Sequence, residues 1–161
     1  MKKTFSILFV CTGNTCRSPL AEAILKAELR KAGIANVTAS SAGTVAFEGA
    51  KASPDASVAA RRMGLSLSRF RSKPLTKRRV KRADFILTMA ESQKEEIVSR
   101  WSDARDKTYV LSEFTGSGRG GIEDPMGTAA ITFRIPVWKI GRNTAVEMTD
   151  CDWTKYRMKL S

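Results

Sequence analysis

Ile7-Leu8-Phe9-Val10-Cys11-Thr12-Gly13-Asn14-Thr15-Cys16-Arg17-Ser18-Pro19 decides how this chain is read. The apolar run Phe5 to Val10 is the pattern of a strand buried on both faces, and it ends at a cysteine. Arg17 and Ser18 follow, and then a proline that suits the first turn of a helix. A strand that turns through a short loop into a helix gathers its loop N–H groups and the positive helix end at one spot. That spot binds an oxyanion such as phosphate. Cys11 stands at the mouth of the loop, where those groups favour its anionic, nucleophilic form. Arg17 offers a planar fork matched to two phosphate oxygens. Nucleophile, anion cradle and bidentate clamp together point to phosphoryl transfer through a cysteine. A lone cysteine at a strand end is ordinarily a buried thiol. The coincidence of the strand with Arg17, Ser18 and Pro19 argues against that reading here.

The chain has 161 residues, enough for one domain with a core that needs no disulfide staples. Its three cysteines, two of them inside this stretch, make no disulfide framework and fit a reducing compartment. No histidine is present. Cys-His and Ser-His catalysis and most zinc sites are therefore excluded, and any acid or base must be a carboxylate. The apolar stretch behind Met1-Lys2-Lys3 is too short for a signal peptide and lacks a cleavage site. No stretch reaches membrane-spanning length, so a cytoplasmic protein is expected.

The net charge is +12. Much of it lies between Arg69 and Arg82, in Arg69, Arg71, Lys73, Lys77, Arg78, Arg79, Lys81 and Arg82. Such a cluster attracts phosphorylated proteins, acidic surfaces or nucleic acid, or it is a solvated helix face. No aromatic residues interleave with it for base stacking, which argues against nucleic acid.

Along the chain, Pro19 to Ala32 reads as a helix with an apolar stripe of Leu20, Ala21, Ile24, Leu25, Ala27 and Leu29, stopped at Gly33. Val37 to Ser41 reads as a second strand, Asp55 to Met63 as a helix and Thr76 to Arg82 as a short basic helix. Phe85 to Thr88 follows as a strand, Glu91 to Trp101 as a helix and Thr108 to Leu111 as a further strand. Alternating strands and helices predict a three-layer α/β domain on a parallel sheet. Ligands of such sheets bind beyond the carboxyl ends of the strands, where Cys11 would lie. The glycine-rich segment Gly116 to Gly121 reads as a loop leading to Asp124-Pro125.

The loop Cys11 to Ser18, the Ser41-Ala42-Gly43-Thr44 turn and the late Asp124-Pro125 pair, in this order, resemble the low-molecular-weight protein phosphatase family. The resemblance covers residues 5 to 127 and implies a four-stranded parallel sheet flanked by helices, with no metal or organic cofactor. It implies that Cys11 attacks phosphorus to form a phosphocysteine. Arg17 and the loop from Thr12 through Gly13, Asn14, Thr15 and Cys16 to Ser18 would hold the phosphoryl oxygens. Ser18 would hydrogen-bond the thiolate, and Asn14 would brace the loop through its side chain. Asp124 would serve as general acid and then as base toward water; alone it would be an ordinary Asp-Pro turn. Cys16 would capture an oxidised Cys11 as a disulfide, or be a small buried hydrophobe. The implied partners are phosphorylated proteins. Nothing in the sequence sets an oligomeric state.

Substrate choice is expected to depend on Thr15. Family members that act on phosphotyrosine commonly carry isoleucine there, whereas this loop is similar to that of bacterial protein-arginine phosphatases. A hydroxyl at that point suits a polar phosphoguanidinium better than an aromatic ring. Met126, in place of an aromatic residue, points the same way. Phe47 is expected either to wall the substrate or to plug the loop. The preferred substrate is thus phosphoarginine, with phosphotyrosine as the alternative. An arsenate reductase would need further cysteines, and Arg69 to Arg100 contains none. A non-catalytic phosphate or nucleic-acid binder would have no use for intact Cys11, Arg17 and Asp124.

After Gly127 the pattern changes, which divides the chain into a phosphatase domain at 1–127 and a divergent tail at 128–161. The family would place a long amphipathic helix there. Here Ile131, Phe133, Ile135 and Val137 alternate like a strand, and Pro136 and Gly141 break any helix. Two origins fit: true divergence, or a shifted reading frame in which codons for Phe133 to Thr144 spell a helix-like peptide one base out of phase.

Overall fold

A computed structural model of the chain describes residues 4–112. Four strands are present in this part: β1 (Phe5–Cys11), β2 (Val37–Gly43), β3 (Phe85–Thr88) and β4 (Thr108–Val110). The helices are α1 (Arg17–Lys31), α2 (Pro54–Arg62), α3 (Lys77–Arg82) and α4 (Glu91–Arg100), with a 3₁₀ segment at Ser102–Lys107. The strands form one parallel sheet in the order β2-β1-β3-β4. The expected α/β architecture with a four-stranded parallel sheet is therefore the one adopted.

The central strand explains the layering. Ile7, Phe9 and Cys11 project to one face and join Leu20, Ile24, Leu25 and Leu29 of α1 and Ala56 and Ala60 of α2. Leu8 and Val10 project to the other face and join Val80 of α3, Ile86 of β3 and Ile97 of α4. Alternate residues of a strand face opposite ways, so a continuous apolar run is buried on both sides only between two helical layers.

Local chemistry ends the elements where expected. Ser53 accepts a hydrogen bond from Ala56 N (3.2 Å), with Pro54 at the first helical position, and so opens α2. Thr76 caps α3 through Arg79 N (3.3 Å). Gly33, at φ +67°, terminates α1 in the left-handed conformation that glycine accepts without strain. Lys107 Nζ donates to Val80 O and Ala83 O, each at 2.7 Å, and so satisfies carbonyls at the end of the basic helix. Of that basic segment, Val80 is the buried anchor, while Lys77, Arg78, Lys81 and Arg82 are exposed.

The burial of α1 departs from the expected stripe at two positions. Ala27 is only half-buried, whereas Glu22, a carboxylate, lies in the interior at 6% exposure. Among the described residues, no helix is long and apolar enough to cross a membrane. Asp124, Met126, the glycine-rich loop and the tail after Gly127 lie outside the described residues.

Candidate active site

The chain runs from β1 through α1 to β2 on one side, and later returns to β3 on the other side of β1. The crevice beyond the carboxyl end of β1 is therefore a topological switch point, where successive connections diverge and leave room for a ligand. Cys11 is the last residue of β1 and Arg17 the first of α1, so the loop between them occupies this crevice.

Buried polar side chains shape the loop. Asn14 is fully buried and takes φ +52°, the one non-glycine residue of the described chain with positive φ. Asparagine tolerates that region better than most residues. Its Nδ2 donates to Ser18 Oγ (2.8 Å) and to Ser41 Oγ (2.9 Å). Its Oδ1 accepts from the backbone N–H of Lys73 (2.8 Å). Ser18, buried at the start of α1, places its hydroxyl 2.8 Å from Cys11 Sγ. Neither Cys11 nor Cys16 is in a disulfide, and the first is buried and the second partly exposed.

The turn after β2 clamps the loop from the side. Thr44 N donates to Cys11 O and Val45 N to Thr12 O, both at 3.0 Å. A Cβ on Gly43 would lie 2.5 Å from Thr12 O and 2.9 Å from Asn14 N. Only glycine admits this approach, which explains the Ser41-Ala42-Gly43-Thr44 signature physically. A third contact comes from α4. Gln93 accepts Met89 N (2.9 Å) and Ala90 N (3.0 Å) on its Oε1 and donates from Nε2 to Thr12 Oγ1 (3.2 Å). Thr15, half-buried, accepts Ser53 N on its carbonyl at 2.7 Å, so the start of α2 is tied to the loop as well.

Phe47 projects from the segment after this turn and is 84% exposed, so it does not plug the loop. Ser72 fixes its backbone, donating from Oγ to Phe47 O and accepting Ala50 N (2.9 Å). Val45, at 68% exposure, is a second apolar side chain on this segment. Val45, Gln93, Glu22 and Ser41's hydroxyl escape sequence reasoning as site residues. Their partners lie at sequence separations that no local pattern encodes. Asp124 and Met126, expected at the site, fall outside the described residues.

Comparison with known proteins places this geometry. The family model described as low molecular weight phosphotyrosine protein phosphatase matches residues 6–145, a span that includes Asp124-Pro125 and runs past Gly127. A protein-arginine-phosphatase of Bacillus subtilis (strain 168) is 40% identical over 142 residues, covering 88% of this chain and 90% of the relative. The low molecular weight protein-tyrosine-phosphatase Ptp of Acinetobacter johnsonii is 33% identical over 153 residues, 94% of this chain and 96% of its own. Among solved structures, a cysteine-to-serine mutant of the YwlE arginine phosphatase with a phosphorylated active-site serine superposes with TM-score 0.71. It is 38% identical and covers 78% of this chain and 81% of that one. The chain belongs to the low-molecular-weight protein phosphatase family and is a cysteine-dependent phosphoprotein phosphatase.

Proposed function

We propose that this phosphatase removes phosphate from phosphoarginine residues of proteins, with Cys11 as nucleophile, Arg17 as clamp and Asp124 as acid and base. Thr15 carries the reading. A Cβ on Gly13 would lie 3.6 Å from Thr15 Oγ1, so the threonine hydroxyl lies beside Gly13 of the loop. A hydroxyl in this loop suits a polar phosphoguanidinium, whereas a branched apolar side chain would offer methyl groups to a phenol ring. The arginine-phosphatase relatives, at 40% and 38% identity, support the same substrate class.

In the first step Cys11 Sγ attacks phosphorus. The P–N bond breaks, its electron pair goes to the guanidinium nitrogen, and that nitrogen takes the proton of Asp124. Arg17 and the N–H groups of Thr12 to Ser18 hold the three equatorial oxygens as charge spreads over them. In the second step Asp124 takes a proton from water, whose oxygen attacks the phosphocysteine. Phosphate leaves, and the sulfur recovers its electron pair beside the hydroxyl of Ser18.

A second reading, phosphotyrosine, is favoured by Val45 and Phe47, which expose apolar surface suited to an aromatic ring. Parallel kinetics on phosphoarginine and phosphotyrosine peptides of one sequence, with Cys11→Ser as control, decides between them. A kcat/KM at least about tenfold higher for phosphoarginine is expected. A ratio favouring phosphotyrosine overturns the proposal in favour of the second reading.

A further inference from the structure

The basic segment read from the sequence divides in space. Val80 anchors α3 on the face of the sheet formed by Leu8 and Val10, so Lys77, Arg78, Lys81 and Arg82 belong to that side of the molecule. Arg69, Arg71 and Lys73 lie on the other side, along one wall of a groove of about 540 Å³ beside α1. The opposite wall is a single face of α1, where Pro19, Ala23, Lys26 and Arg30 recur at helical spacing. At about 1.5 Å per residue this wall is roughly 16 Å long, the reach of about five residues of extended peptide. One end of the groove lies at the active-site loop. Pro19 stands in the first turn after that loop, and the backbone N–H of Lys73 donates to Asn14 Oδ1 (2.8 Å).

Five cations line this groove, Lys26, Arg30, Arg69, Arg71 and Lys73, against one carboxylate, Glu22. Glu22 is buried and already satisfied by Ser41 Oγ and Lys26 Nζ, both at 2.5 Å. Among the described residues, no carboxylate pairs with Arg30, Arg69, Arg71 or Lys73. On the outer helix faces the opposite holds, for Lys31 meets Glu28, Lys94 meets Glu91 and Arg100 meets Glu96. Arg71 is held by carbonyls instead. Its Nη1 donates to Phe70 O (2.6 Å) and Ser68 O (3.2 Å), which fixes the guanidinium without cancelling its charge. Lys73 Nζ stands 5.7 Å from the centre of the Phe70 ring, a contact that likewise leaves its charge in place. Leu65, Leu67 and Phe70 supply apolar lining between the cations. Like charges converging on an apolar cleft focus their field on an anion more strongly than the same charges on a convex helix.

We propose that this groove is a docking site for an acidic, Asp- or Glu-rich stretch of the protein substrate, which lies along α1 while the neighbouring phosphorylated residue enters the loop. The proposal rests on the chain acting on phosphoproteins through that loop, and it holds for phosphoarginine and phosphotyrosine alike. An extended peptide suits the groove because one end opens where the phosphorylated residue must sit and the length takes about five residues. Carboxylates on such a peptide meet cations from both walls. Nucleic acid suits it less, because the aromatic ring in the lining, Phe70, lies under Lys73 Nζ rather than open to a base. Capture by exposed charges acts before the chemical step, so it is read in KM and is weakened by salt.

The test is kcat/KM of the full chain on two phosphopeptides that differ in one respect. One carries glutamates at about the third to fifth positions on both sides of the phosphorylated residue, and the other carries glutamines there. The phosphorylated residue is whichever of phosphoarginine and phosphotyrosine is turned over faster. At about 0.05 M salt the glutamate peptide is expected to exceed the glutamine peptide about tenfold, through KM. At about 0.5 M salt the ratio should fall below about twofold. Arg69→Glu combined with Arg71→Glu should bring the low-salt ratio to about one. Arg30→Glu, at the far end of the groove, should lower it about threefold and carries the test should the double variant not fold. Lys77→Glu combined with Arg78→Glu makes the same change of net charge on the opposite face of the sheet and should leave the ratio as in the wild type. A wild-type ratio near one, or a ratio lowered equally by the α3 variant, would overturn the proposal. So would tighter binding of a thymidine oligonucleotide than of the glutamate peptide, lost on the Arg69→Glu and Arg71→Glu change, which would assign the groove to nucleic acid. Faster turnover of phosphotyrosine overturns the phosphoarginine reading and leaves the ratio measurable, and turnover that survives Cys11→Ser overturns the nucleophile, so these failures are distinguishable from loss of the ratio.

Discussion

Two loops leave the carboxyl ends of adjacent parallel strands and are built on opposite terms. The loop after β1 holds Cys11, Asn14 and Ser18 in the interior, each with a named hydrogen-bond partner. The segment after β2 exposes Val45 and Phe47, and it is held through its backbone, by Cys11 O, Thr12 O and Ser72. The difference follows from what each must do. Atoms that react must be placed to within fractions of an ångström, and buried, fully satisfied polar networks achieve that placement. Surfaces that meet a macromolecule need only present shape and apolar area at a fixed position. Substitutions in the first loop should therefore alter chemistry, and those in the second should alter substrate preference.

The largest expected effect is at the nucleophile. Cys11→Ser should reduce turnover by at least about 10⁴-fold while leaving the thermal unfolding midpoint nearly unchanged, checked by steady-state kinetics beside a melt. Gly43→Ala should follow. A Cβ 2.5 Å from Thr12 O forces backbone apart, at a cost of about 3 kcal/mol in denaturant unfolding, and the same shift should lower kcat. A stable, fully active Gly43→Ala protein would mean that the turn does not clamp the loop. Thr15→Ile sits at the boundary between the two behaviours. It should move the ratio of phosphoarginine to phosphotyrosine turnover toward phosphotyrosine by about 10- to 100-fold, and an unchanged ratio would remove Thr15 as the selecting residue. Phe47→Ala is the smallest. Its exposed ring should contribute less than about 0.5 kcal/mol to stability, and its loss should raise KM for a peptide substrate a few-fold with kcat constant.

Legibility in the sequence followed the range of the interactions. β1 and α1 were readable because Phe5 to Val10 and Leu20 to Leu29 carry their burial in local periodicity, and Ser53-Pro54 and Gly33 mark helix ends chemically. The Ser102–Lys107 turn went unread, because its residues are polar and carry no apolar period. The apolar stripe of α1 included Ala27 and left out Glu22, yet Glu22 is the more buried of the two. Its burial is tolerated because Ser41, nineteen positions on, and Lys26 supply hydrogen bonds to the carboxylate. Gln93 was similarly hidden, since its partner Thr12 is 81 positions away.

From residues alone came the chemistry of the first loop: a cysteine, an arginine and a hydroxyl between a strand and a helix specify an anion-binding nucleophile through backbone geometry that is local. The alternating strands and helices likewise implied a parallel sheet, because only a crossover returns a chain in the same direction. What folding added was the set of contacts that make the loop a single conformation. Gly43 meets Thr12 and Asn14 there, Lys73 orients the Asn14 amide, and Ser41 joins that amide to Glu22 of α1. Those contacts join segments distant in sequence, and their energies depend on burial that exists only once the sheet and both helical layers have assembled.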